Sequence, residues 1–132
     1  MNQTMLVGRL TREVEIKTVG VHRVVNNCLA VSRKHRDRNG EVKTDFIPLV
    51  AWDHWADLLH KYTQKGHRVG ICGRMESRSY TNAQNQVVYL LECQVQDVTL
   101  LESKAHKTTE TMQNSAEIRR QFEVPNETFT DM

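Results

Sequence analysis

RNGEVKTDFIPLVAWDHWADLLHKYTQKGHRVGICGRM, residues 38–75, is the stretch that decides the fold. It opens with Asn39-Gly40 between two strand-like runs, the pattern of a tight hairpin. Residues 44–52 then alternate, with Phe46, Pro48, Val50 and Trp52 on one side and Ile47, Leu49 and Ala51 on the other. Pro48 has no backbone donor and belongs at an edge or a bulge. Asp53 is a candidate N-cap, and Trp55, Leu58, Leu59 and Tyr62 recur at helical spacing as a stripe to be buried. Asp57 early and Lys61 and Lys65 late suit the helix dipole, and Gly66 is the expected stop. Residues 69–75 return to a strand, in which Gly70 and Gly73 predict a bend or a close backbone approach.

Working outward, residues 4–10 read as a short apolar strand. Residues 24–32 alternate, with Val25, Leu29 and Val31 on one face and Val24, Cys28 and Ala30 on the other; Asn27 interrupts the first face. Residues 33–43 form a polar connector, residues 77–80 continue the strand from 69–75, residues 81–86 are a polar turn, and residues 87–101 form a long last strand. Four or five strands with one helix after the third predict an all-β protein built as a small Greek-key barrel. The five-stranded oligonucleotide/oligosaccharide-binding (OB) barrel has that order. A sandwich with a covering helix has the same order of elements and stays open at this point.

With 132 residues, 39% of them hydrophobic, the chain has the length of one domain that buries a single core. No apolar run approaches the ~20 residues of a membrane span, and no secretory signal is visible. Cys28, Cys72 and Cys93 match no zinc spacing and read as reduced core thiols of a cytosolic protein. No metal or cofactor is expected. Residues 1–104 hold fifteen Lys and Arg against eleven Asp and Glu, and residues 105–132 hold three against five. A basic domain over 1–104 and a flexible polar tail over 105–132 are therefore expected.

Several segments together resemble bacterial single-stranded-DNA-binding proteins: LVGRLT at 6–11, CLAVSR at 28–33, RNGEVKTDFIPLVAW at 38–52, KYTQKG at 61–66, VGICGRMESRSY at 69–80 and LLESK at 100–104. They fall in family order over about four-fifths of the chain. The resemblance implies an OB-fold subunit, usually of a homotetramer, that wraps single-stranded DNA without sequence preference in replication, recombination or repair. The end of the sequence, PNETFTDM, departs from the family's acidic tip closed by Pro-Phe. That departure puts docking of replication and repair proteins in doubt and suggests a phage-encoded or accessory paralogue.

Unpaired bases need flat π surfaces, and a nucleic-acid backbone needs cations. Phe46 and Trp52 follow a basic hairpin and Tyr80 lies beside Arg78; the family places stacking aromatics at the matching positions. Trp55 and Tyr62 are expected in the core instead. Arg33, Lys34, Arg36 and Arg38, with Lys43 just beyond, can track phosphates, and Arg74 and Arg78 should share a face with Tyr80. Arg9 follows the first strand's Val-Gly pair. His35 stands where the family commonly has an aromatic, and an imidazole stacks with less surface.

Two other classes of function compete. An enzyme would need a phosphate-cradling glycine loop, a nucleophile with its base, or a metal motif, and the sequence has none of these in context. A protein-interaction module would not need stacking aromatics interleaved with cations. RNA binding stays open, since stacking and phosphate contact do not read the sugar.

Overall fold

The structure, a computed structural model, describes residues 1–102. The domain limit expected at residue 104 and the tail expected over 105–132 lie outside the described residues. The elements, in order, are β1 (Thr4–Leu10), β2 (Ile16–Val19), β3 (His22–Arg36), β4 (Val42–Trp52), α1 (His54–Tyr62), β5 (Arg68–Thr81) and β6 (Val87–Leu100).

β1 pairs antiparallel with β5, from Thr4↔Gly73 to Arg9↔Arg68. β5 pairs with β6, and β6 runs parallel to β4 at Leu49↔Cys93 and Val50↔Gln94. β4 pairs along its length with β3, which closes back on β1 at Arg9↔Ala30 and Leu10↔Leu29. Five strands therefore form a closed ring, β1-β5-β6-β4-β3, with the helix after the third of them. This is the OB barrel, and closure excludes the sandwich.

Two glycines make the closure and its bend possible. A Cβ on Gly8 would collide with the Ala30 carbonyl across the β1–β3 seam. At Gly73, where the β5–β6 register shifts, a Cβ would collide with the Gln94 carbonyl. The close approach expected at Gly73 is thus observed. Inside the ring, Leu10, Leu29, Leu49, Val69 and Cys93 are fully buried, and α1 packs Ala56 and Leu59 against the same cluster. Pro48 faces Cys28 on β3 and lies just before the two-residue pairing with β6, where β4 needs few donors on its second edge.

Six details differ from expectation. β2, which pairs only with the first part of β3, has no alternating apolar pattern and was not anticipated. β3 extends to Arg36, so the loop is shorter than the connector expected over 33–43. Asp53 precedes α1 but does not cap it: at φ 50° its carboxylate turns to the Arg23 backbone N–H at 3.0 Å and to His22 at 2.9 Å. The helix ends at Tyr62, capped by Thr63, and Gly66, the expected stop, lies beyond it and donates its N–H to Leu10 O. Tyr62, expected in the core, is exposed, with the Lys61 ammonium 5.2 Å from its ring centre. The cysteines are free, but only Cys93 is a core residue; Cys28 and Cys72 are half-buried.

Asn27, the polar interruption on the inner face of β3, is buried, and both polar atoms of its side chain are hydrogen-bonded. Its amide oxygen accepts from the N–H groups of Arg12 and Cys28, and its amide nitrogen donates to Arg12 O at 3.1 Å. It pins the β1–β2 connection over the end of the barrel. Asn27→Ala leaves those backbone groups unpaired and should cost about 2–3 kcal/mol. Urea unfolding followed by circular dichroism measures this; a loss under ~0.5 kcal/mol would show that the clamp is idle.

Candidate nucleic-acid interface

β3 has 15 residues and β5 and β6 have 14 each. The small barrel does not enclose strands of that length, so two hairpin arms project from it. Burial falls away along both: every residue from Ser32 to Arg36 is exposed, as is every residue from Ser77 to Thr81.

The two arms end in the same kind of turn. In the first, Asp37 N–H donates to Glu41 O, and the Asp37 carboxylate accepts from the Asn39 and Glu41 N–H groups; Gly40 takes φ 78°. In the second, Asn82 N–H donates to Gln86 O, its side-chain oxygen accepts from Gln84 and Gln86, and Asn85 takes φ 65°. A short Asx side chain and one residue in the left-handed region make each turn rigid.

All three candidate stacking rings stand outside the core: Phe46 is 54%, Trp52 41% and Tyr80 48% exposed. Phe46 and Trp52 lie on the outer face of β4, six residues or about 20 Å apart. Tyr80 shares a face of β5 with Arg74 and Arg78, as strand alternation requires.

The cations divide into two groups. Arg33 is held by both carboxylate oxygens of Asp45, at 3.0 and 2.8 Å. Arg74 pairs with Glu76 at 3.1 Å, and Arg78 pairs at 3.0 Å with Glu92, whose side chain is only 9% exposed. Arg36 donates to Gly40 O at 2.7 Å and braces the turn. Lys34, His35, Arg38 and Lys43 are exposed, and their side chains make no ion pair or hydrogen bond among the described residues. Arg9 does not join either arm. It pairs with Arg68 at the start of β5, and its guanidinium donates to Gly66 O at 2.8 Å and lies 3.5 Å from Glu102.

The carboxylates Asp45, Glu76 and Glu92, which fix the arginines, were missed in the sequence, as was His22 beside Trp52. The Asp45 partnership crosses a hairpin whose register shifts between Ser32 and Arg36, so counting outward from Asn39-Gly40 does not find it. Among the described residues no group of three or more His, Cys, Asp or Glu side chains could hold a metal. No described helix is long and apolar enough to cross a membrane.

An OB barrel carrying two long arms with exposed aromatics and cations defines a class of oligonucleotide-binding scaffold. The comparisons with known proteins are specific. The model of the single-strand binding protein family matches residues 1–101, and the chain belongs to that family. It is 43% identical over 106 residues to the single-stranded DNA-binding protein of Lactiplantibacillus plantarum, covering 80% of this chain but 53% of that one. The Streptococcus mutans single-stranded DNA-binding protein is 40% identical over 116 residues, 87% of this chain and 70% of its own. The chain thus spans about half the length of the first relative and somewhat over two-thirds of the second. Among solved structures, the Plasmodium falciparum SSB in complex with ssDNA superposes with a TM-score of 0.69 at 32% identity, over 77% of this chain and 96% of that one.

Three carboxyls in the described region are held below the usual carboxylate range. Asp45 is held by its bond from Arg33, Asp53 by the Arg23 backbone N–H and then His22, and Asp57 by the Arg23 guanidinium at 2.7 Å. A carboxyl depressed in the folded state stabilises the fold above its unfolded value of about 3.9, and that gain disappears as pH falls through the folded value. Asp57→Asn should therefore lower the melting temperature at pH 7 and leave it nearly unchanged at pH 2. Calorimetry at the two pH values checks this; an equal loss at both would mean that the side chain acts by packing rather than by charge.

Proposed function

We propose that the chain binds single-stranded DNA without sequence preference, with bases stacked on Phe46, Trp52 and Tyr80 and phosphates met by the arm cations. The observation that carries this reading is the exposure of all three rings outside a closed core. Exposed aromatics are unfavourable in water, and in this setting each offers a nucleobase about 1–3 kcal/mol of stacking. Lys34, Arg38 and Lys43 are free to meet phosphates directly, and His35 offers a smaller stacking surface between them. Arg33, Arg36, Arg74 and Arg78 are already engaged; they give the arms positive potential and fixed shape, and reach phosphate by sharing their carboxylate or carbonyl partners. Arg9, braced at Gly66, stands apart from these contacts. The role is one of binding and protection in replication, recombination or repair in the cytoplasm, with no chemical step and no cofactor.

The reading includes a homotetramer. Its support is the edge of β1: among the described residues, β3 meets that edge only at Arg9 and Leu10, so the rest is open, and Met5 and Val7 are exposed beside it. An open, apolar strand edge is favourable for pairing with another copy. Residues 105–132 carry a net charge of −2 and are proposed to be dispensable for both assembly and DNA affinity.

Titration of intrinsic tryptophan fluorescence with oligo-dT at two salt concentrations tests the central statement. Tight binding of single strands that duplex competes for poorly is expected; equal affinity for both would overturn it. Phe46→Ala and Tyr80→Ala should each weaken binding by about 1–3 kcal/mol with the fold intact. Lys43→Ala should reduce the salt slope by about 0.7. Sedimentation at micromolar concentration should give a tetramer, and a monomer would contradict that part of the reading.

A further inference from the structure

His22 lies where β3 begins, and it was not among the residues that the sequence singled out. Its ring centre is 6.3 Å from that of Trp52, and the two planes stand at 88°. The side chain is 60% exposed, yet its orientation is constrained: Nδ1 lies 2.9 Å from an Asp53 carboxylate oxygen. A surface histidine ordinarily samples several rotamers, and holding one costs side-chain entropy.

The backbone around the two rings is locked as well. Val24 and Trp52 are register partners. Asp53 N–H donates to Arg23 O at 2.8 Å, and Arg23 N–H donates back to the Asp53 carboxylate at 3.0 Å. Arg23 is further tied to Asp57 on α1 by two bonds of 2.7 Å. Asp53 takes φ 50° to reach both His22 and Arg23. That is an unfavourable conformation for a residue with a Cβ, and it persists where surrounding contacts over-determine it. The helix gains no side-chain cap from it. What the arrangement does accomplish is to hold two exposed rings at a right angle.

We propose that His22 and Trp52 form one nucleotide subsite, in which an unpaired base stacks on the Trp52 ring and meets the His22 ring edge-on as a side wall. The wall adds contact area to a single stacking plane, and Nε2, the ring nitrogen not facing Asp53, is a polar group for the rim of the base. Because both rings are held before the ligand arrives, binding does not have to order them. The inference rests on the single-stranded DNA reading above and adds to it a residue and a geometry.

The test is anisotropy of labelled oligo-dT with the full-length chain and four variants: His22→Gln, Trp52→Leu, the double variant and Phe46→Ala. A glutamine amide can still donate to Asp53, so His22→Gln keeps the hub and removes the wall. It should keep the wild-type melting temperature and weaken binding about three- to ten-fold. In the Trp52→Leu background the same change should matter less than about two-fold, because coupled contacts are not additive. Wild-type affinity in His22→Gln, or an equal loss with and without Trp52, overturns the subsite. If wild type binds and Phe46→Ala weakens it while His22→Gln does not, this inference alone fails. If wild type does not bind oligo-dT, the function it rests on fails with it.

Discussion

Closure of β1 onto β3 at Arg9↔Ala30 and Leu10↔Leu29 is the contact on which the rest depends. It turns a twisted sheet into a ring with an inside, and it is permitted by the missing side chain of Gly8 against the Ala30 carbonyl. Once the ring is closed, its interior is filled by one set of inward side chains, with Ala56 and Leu59 of the helix added to it. Whatever the strands carry beyond that volume has to leave the barrel. β3 with β4 and β5 with β6 do so as paired hairpins, each sealed by an Asx turn. The exposure of Phe46, Trp52 and Tyr80 follows from a core that is already full.

The arms are ordered electrostatically rather than by packing. Arg33 with Asp45, Arg74 with Glu76 and Arg78 with Glu92 lie across or along the strands that they stiffen. Exposed pairs of this kind add little to global stability. Their effect is local, fixing side chains that would otherwise sample many rotamers next to the rings. Glu92 differs, since its own carboxylate is nearly buried and depends on Arg78 for compensation. A carboxylate that pairs with an arginine also lowers what that arginine offers a phosphate. The arms therefore divide the work between fixed cations that shape them and free lysines near the first turn.

Much of the fold was legible in the sequence because closure, alternation and turn chemistry are local signals. Residues 44–52 alternate, Asn39-Gly40 turns, and Trp55, Leu58 and Leu59 recur at helical spacing. β2 was not legible, since four residues with one half-buried side chain carry no period. Tyr62 was misread because the helix ends at it, and a stripe at a helix end can leave the barrel as easily as enter it. Asp53 was misread because its partner is a backbone N–H thirty residues earlier, a pairing that only the register reveals. The exposed rings were identified by type and position, while the carboxylates that set the arginines, and His22 beside Trp52, depend on cross-strand register and were invisible.

The central claim is that a full barrel presents its surplus aromatics and cations as one binding surface for single strands. Amide and indole chemical-shift mapping of the isotope-labelled chain during titration with oligo-dT tests this most directly. The account predicts large shifts on β4 around Phe46 and Trp52, on β5 around Tyr80 and in the turn at residues 37–41, with Gly66 and Arg68 unmoved. Shifts gathered along the β1 edge, with both arms silent, would contradict it.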